Sequence, residues 1–201
     1  MGRRLAERVS TGYPPACGST QLLLGALGDL ARGRCHRDNN RSFPVLADYR
    51  FDTVTDHVGQ ELGVSPWMTV NQSQIDQFAE VTGDHQWIHV DVERCKAESP
   101  YGAPIAHGFL TLSLLARLLM DVGMVPPDVR QAINAGVSNV RFKTPVRAGA
   151  RVRARASVLS AERKGEGRML ATASAVLEVE GEKHPALSAE VTVMLFRGEA
   201  A

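Results

Sequence analysis

The chain is 201 residues long and 44% hydrophobic, and its 23 Lys and Arg against 22 Asp and Glu leave a formal net charge of +1. That length and apolar content suffice for one packed core and favour a single domain, while the near-zero charge gives no whole-protein signal for nucleic acid or an acidic polymer. Three cysteines (Cys17, Cys35 and Cys95) with no C-x-x-C spacing argue against a disulfide framework or a structural zinc and fit a reducing interior.

Residues 1–42 stand apart in composition. They hold Arg3, Arg4, Arg8, Arg32, Arg34, Arg37 and Arg41 against Glu7, Asp29 and Asp38, with Pro14-Pro15 and scattered glycines. Such material makes a poor packed element, and it reads as an Arg-rich, disordered extension. An organellar transit peptide is a second reading of the same composition. A single domain is expected over 43–201.

Residues 56–63 read as a turn leading into a short strand at 65–70. Asn71 caps the next segment, and Gln74 three residues on completes a capping box. Ile75, Phe78, Ala79 and Thr82 then recur at helical spacing, and Gly83 sits where a helix stops. Residues 84–89 are expected as an irregular loop leaving that helix. Asp91 caps a second short helix through Cys95 and Ala97. From Gly108 to about Val122 the pattern is apolar nearly all round, the mark of a buried helix, stopped by Gly123 and Pro126-Pro127. The longest apolar run, 109–120, contains Arg117 and falls short of the roughly 20 residues a bilayer span needs. A cytoplasmic protein with no membrane partner is expected.

Beyond Pro127 the period becomes two. Ile133, Ala135 and Val137 alternate, then Val140 and Phe142 continue on the opposite parity, which predicts an irregularity at Ser138-Asn139. Three further strands follow, with Lys164 to Gly167 and Glu180 to Lys183 as turns. Strands gathered after the helices favour an α+β fold in which one curved antiparallel sheet wraps the long helix.

The groups able to do chemistry cluster between residues 81 and 118. Asp84 and His89 lie five apart; a carboxylate and an imidazole in one pocket can share the proton transfers of adding water to a double bond beside a carbonyl. The plainer reading makes Asp84 a loop cap and His89 an ordinary half-buried histidine. His107-Gly108 opens the apolar helix, whose first N–H groups lack internal partners and suit a developing oxyanion; His107 reads equally well as a hydrogen-bonding support. His85, His89 and Asp91 could be read as metal ligands, but no known spacing places a further ligand with the two histidines, and no metal is expected. Arg151, Arg153 and Arg155 share a strand face, with Arg141, Lys143 and Arg147 nearby. A solvated face explains them; a sharper reading has some of them meet substrate phosphates.

Three segments then carry a resemblance: 78–91 (F-A-E-V-T-G-D-H-Q-W-I-H-V-D), 104–115 (P-I-A-H-G-F-L-T-L-S-L-L) and 139–149 (N-V-R-F-K-T-P-V-R-A-G). In this order the chain resembles, over residues 45–195, the MaoC-like dehydratases, (R)-specific enoyl-CoA hydratases of hot-dog fold, and within them the nodulation-protein-N-like group. The resemblance implies catalytic roles for Asp84 and His89 and a thioester carbonyl held by the Gly108 N–H; beside these, His107 and Asn139 are expected as support and Arg141, Lys143 and Arg147 as candidate CoA phosphate contacts. It implies reversible hydration of trans-2-enoyl-CoA to (R)-3-hydroxyacyl-CoA in fatty-acyl metabolism and a homodimer. The acyl group arrives on CoA or an acyl carrier protein, and no cofactor is implied. Gln86-Trp87 replaces the usual Asn-Pro of the family's acid-to-histidine loop, and Val92 stands where many members have proline.

Overall fold

The computed structural model describes residues 46–198; the Arg-rich stretch 1–42, with Cys17 and Cys35, lies outside them. The elements run in the order a one-turn 3₁₀ helix Val54–His57, β1 (Glu61–Val64), β2 (Met68–Thr69), α1 (Gln72–Thr82), α2 (Trp87–Val90), α3 (Val92–Glu98), α4 (Gly108–Val122), β3 (Val129–Phe142), β4 (Arg151–Arg163), β5 (Arg168–Val179) and β6 (Leu187–Arg197).

The strands form one antiparallel sheet in the order β1-β4-β5-β6-β3, with β2 also paired to β4. β6, the last strand in sequence, therefore lies between β5 and β3. Alternation sends Val152, Ala154, Ala156 and Val158 of β4, Met169 to Val179 at every second position of β5, and Leu187 to Leu195 likewise of β6 into the core. Many of these are alanines, whose small side chains leave room for a helix against the sheet. Leu110, Leu115, Leu118, Leu119 and Val122 of α4 fill that room.

Several local expectations hold. Asn71 accepts from the Gln74 N–H while the Gln74 side chain accepts from the Asn71 N–H, and Gly83 ends α1 at φ 76. Asp91 caps α3 through the Arg94 N–H. Gly123 ends α4 at φ 85. The β3–β6 register slips between Ser138 and Arg141, with Asn139 at φ 51.

Three expectations need correction. The first strand is split: β1 begins within the predicted turn, and Ser65, Pro66 and Trp67 separate it from β2, because proline withholds the N–H a continuous ladder needs. His89 lies not on loop but in the four-residue helix α2. β3 slips a second time between Asn134 and Gly136, so Ile133, opposite Met194, faces outward while Asn134, opposite Val193, faces the helix side. The sheet covers most of α4 but not all of it within one chain: Phe109 and Met120 are 70% and 55% exposed, beside a β3 that is exposed along most of its length.

Candidate active site

Helix α1 ends in a left-handed glycine because no other residue adopts that φ cheaply, and the chain turns at once into Asp84. The Asp84 carboxylate accepts weakly from the Gln86 N–H at 3.4 Å and is otherwise 56% exposed. Three residues on, α2 carries His89 inward to 6% exposure. Two hydrogen bonds fix it. Its Nδ1 lies 2.6 Å from the Ile105 carbonyl, and its own carbonyl accepts from the Gln72 amide at 2.7 Å. A carbonyl can only accept, so Nδ1 carries the proton and Nε2 keeps the lone pair. Burial, with the neighbouring His107, pushes the His89 pKa below its usual value against the opposing pull of the Ile105 bond and Asp84.

His107 is 3% exposed and stacks on His89 with centroids 3.8 Å apart and planes 27° from parallel; Phe78 covers it at 5.0 Å. Its Nε2 donates to the Asp84 carbonyl oxygen at 2.9 Å, and its Nδ1 is buried without a hydrogen-bond partner. His107 thus ties α4 to the Asp84 backbone, while its Nε2 stays 4.0 Å from the Asp84 carboxylate. Gly108 follows as the first residue of α4, with an N–H that has no partner four residues back. Thr111 is buried one turn on and donates to the Gly108 carbonyl at 2.6 Å.

His89, Gly108 and Thr111 open on a cleft of about 210 Å³ that Ile105, Phe142 and Lys143 also line. Ligand atoms of Asp84, His89 and His107 lie within 4.8 Å of one another. Two imidazoles sharing a metal must aim in-plane lone pairs at one point, about 2.0–2.1 Å away for zinc. Stacked rings run their lone pairs side by side instead, and one nitrogen of each ring already faces a carbonyl. The set suits proton transfer better than metal binding.

The structure therefore brings Asp84, His89, His107 and Gly108 together and leaves out others. Asn139 donates to Glu190 at 2.8 Å, and Ser138 donates to the same carboxylate at 3.0 Å; Asn139 supports the irregularity in β3 rather than the histidines. His85 faces Glu80 at 3.9 Å, half exposed. Arg151, Arg153 and Arg155 are matched by Glu180, Glu178 and Glu61 at 2.6–2.9 Å, and Arg153 lies over Trp67. They form a paired, solvated face with no cation to spare. Arg141, Lys143 and Arg147 are exposed with no carboxylate partner among the described residues, and Lys143 lines the cleft. Sequence reasoning missed Gln72, the Ile105 carbonyl, Thr111 and Phe142. Phe142 lay within a quoted segment, but nothing in the sequence marks a helix-start glutamine as a tether for a carbonyl 17 residues on.

The family profile described as "MaoC like domain" matches residues 53–180. The 3-hydroxyacyl-thioester dehydratase Z of Mycobacterium tuberculosis is 47% identical over 146 residues, 71% of this chain and 95% of that protein. Nodulation protein N of Rhizobium leguminosarum bv. viciae is 45% identical over 147 residues, covering 71% and 89%. Among solved structures, the (R)-hydratase from A. caviae superposes with a TM-score of 0.54 at 26% identity, covering 68% of this chain and 94% of that one. A Mycobacterium tuberculosis protein with a double hotdog fold superposes at 0.57 with 17% identity, covering 72% and 43%, and bears on the fold alone. The wrapped helix is thus that of a hot-dog fold, and the chain belongs to the MaoC-like domain family.

Proposed function

We propose that the protein reversibly adds water to a trans-2-enoyl thioester, giving an (R)-3-hydroxyacyl thioester in fatty-acyl metabolism. The observation that carries this is the convergence of Asp84, His89 and His107 within 4.8 Å, beside the open N–H of Gly108. The names of the dehydratase relative and the (R)-hydratase neighbour support it.

In this reading, water sits between the Asp84 carboxylate and His89 Nε2. The carboxylate accepts one hydrogen bond and orients the molecule. Nε2, whose lone pair is kept free by burial, takes the other proton as the oxygen bonds to C3. Electrons move onto the thioester oxygen, where the Gly108 N–H and the start of the helix stabilise the enolate. The proton on Nε2 then passes to C2, and the carbonyl re-forms. His107 does not react; it holds the Asp84 backbone and the His89 ring in place.

The carrier is proposed to be CoA, with Arg141, Lys143 and Arg147 meeting its phosphates. The proposed assembly is a homodimer that covers the exposed Phe109, Met120 and Val137. No helix among the described residues is long and apolar enough to cross a membrane.

The test follows a short and a long trans-2-enoyl-CoA with wild type, Asp84→Asn and His89→Ala. Loss of enoyl absorbance without free thiol, abolished in both folded variants, is expected. Wild-type rates in both variants would sink the site assignment, and release of thiol would make the protein a thioesterase.

A further inference from the structure

The slip in β3 decides what faces Gly108. Val137 pairs with Val191 and Ser138 with Glu190, but past the slip Arg141 pairs with Ser188 and Phe142 with Leu187. Unbroken alternation would turn Arg141 toward the helix and Phe142 to the outside. The single added residue reverses this. Asn139 takes up the strain at φ 51, and Glu190 pins the turn by accepting from Ser138 on one carboxylate oxygen and from Asn139 on the other.

The Phe142 ring so delivered lies directly over Gly108. A Cβ built on Gly108 would sit 3.2, 3.3 and 3.3 Å from Phe142 Cε1, Cδ1 and Cζ, closer than an ordinary carbon–carbon contact of about 3.5–4.0 Å. The ring also meets Phe109 edge-on at 6.1 Å and shares the cleft with His89 and Thr111. A carbonyl oxygen hydrogen-bonded to the Gly108 N–H, at about 3 Å, would bring the two substituents of the carbonyl carbon, the sulfur and C2, into the cleft that this ring lines.

We propose that Phe142 is a specificity-determining wall that admits acyl thioesters unbranched at C2 and excludes those carrying a methyl there, with Glu190 and Asn139 as the residues that set the wall. This rests on the placement of the thioester at Gly108 proposed above. A methyl at C2 widens the acyl group on the side of the ring and must push the half-exposed ring aside, and one methyl-sized misfit in an apolar site is worth roughly 10–200-fold in discrimination.

The experiment compares crotonyl-CoA with 2-methylcrotonyl-CoA in hydration, and butyryl-CoA with 2-methylbutyryl-CoA in calorimetric binding, which needs no turnover. Wild type, Phe142→Ala, Phe142→Leu and Glu190→Ala are measured, each checked for folding and oligomeric state. The expected result is a wild-type preference for the unbranched member of roughly 10-fold or more, falling at least several-fold in Phe142→Ala and less in Phe142→Leu. Glu190→Ala, remote from the substrate, should lower the same ratio. A general loss of stability acts on both substrates alike and cannot move it. Unchanged ratios across the variants, or wild type binding both pairs equally, would overturn the proposal. A changed binding ratio without any hydration would uphold the wall and defeat the hydratase reading instead.

Discussion

Substituting Gly108 by alanine separates stability from chemistry at a single atom. The backbone there is helical, so alanine fits without strain, and away from contacts it would favour a helix by up to about 1 kcal/mol. Against that, the new methyl meets the Phe142 ring at 3.2 Å, and the ring must give by a few tenths of an ångström. It can do so, being 49% exposed. The two effects nearly cancel, and Tm should move by no more than about 4 °C, as expected for a net change within about 1 kcal/mol in a domain of this size. Activity should not survive so well. The methyl enters the cleft beside the N–H proposed to hold the thioester oxygen, and losing one such donor costs about 10²–10³ in kcat. Because alanine keeps the N–H but displaces the carbonyl, a loss near 10²-fold is expected. Calorimetry and an enoyl-thioester hydration assay on one preparation decide the matter. A folded Gly108→Ala enzyme with wild-type kcat would refute the placement of the carbonyl at this helix start.

Further outcomes follow from the site. The folded-state pKa of His89 lies below the ordinary 6.5, so kcat/KM should hold down to that pH and fall only below it; a midpoint above 6.5 would contradict the burial argument. Because the unfolded state binds that proton more readily, His89 should also make the fold lose stability as pH drops from 6.5 toward its depressed pKa, and His89→Gln should flatten the loss in denaturant titrations. His107→Ala should lower kcat by about 10-fold or more while His107→Gln, which keeps an N–H able to reach the Asp84 carbonyl, recovers part of it, as expected of a group that positions the carboxylate proposed to orient water. Replacing Arg141, Lys143 and Arg147 together by alanine should raise KM for enoyl-CoA and weaken its salt dependence, with kcat unchanged. The same variant should treat an enoyl-pantetheine thioester, which has no nucleotide, as wild type does.

Most of this fold could be read from local signals. The capping box at Asn71, the stop at Gly83, the buried stripe of α4 and the alternation of β4 to β6 each depend on residues within a few positions of one another. What escaped depends on partners far along the chain. No local pattern says that Gln72 reaches the His89 carbonyl or that Ile105 sets the tautomer of the imidazole. Asp84 and His89 were chemically plausible from their types alone, while their spacing also suited a loop cap and a buried histidine, and nothing local announced that His107 stacks on His89. Asn139 was placed correctly as an irregularity and less well as a support for the site, because only the β6 register reveals that its amide faces Glu190. The apolar surround of α4 was legible, yet a single chain leaves Phe109 and Met120 open, since the hydrophobic pattern does not say whether cover comes from the same chain or another.

The position of β6 also has a consequence for how the protein is made. Residues 187–197 leave the ribosome after every other described strand, yet they sit inside the sheet, joining β5 on one side to β3 on the other. Until they arrive, β3 has no strand to pair with, and Phe142 cannot be set against Gly108. A nascent chain arrested before β6 would hold Asp84, His89 and Gly108 but no assembled cleft, with the apolar edges of β3 and β5 free to pair with the wrong strand. The cleft is therefore completed by β6 rather than by the helices that carry His89 and Gly108.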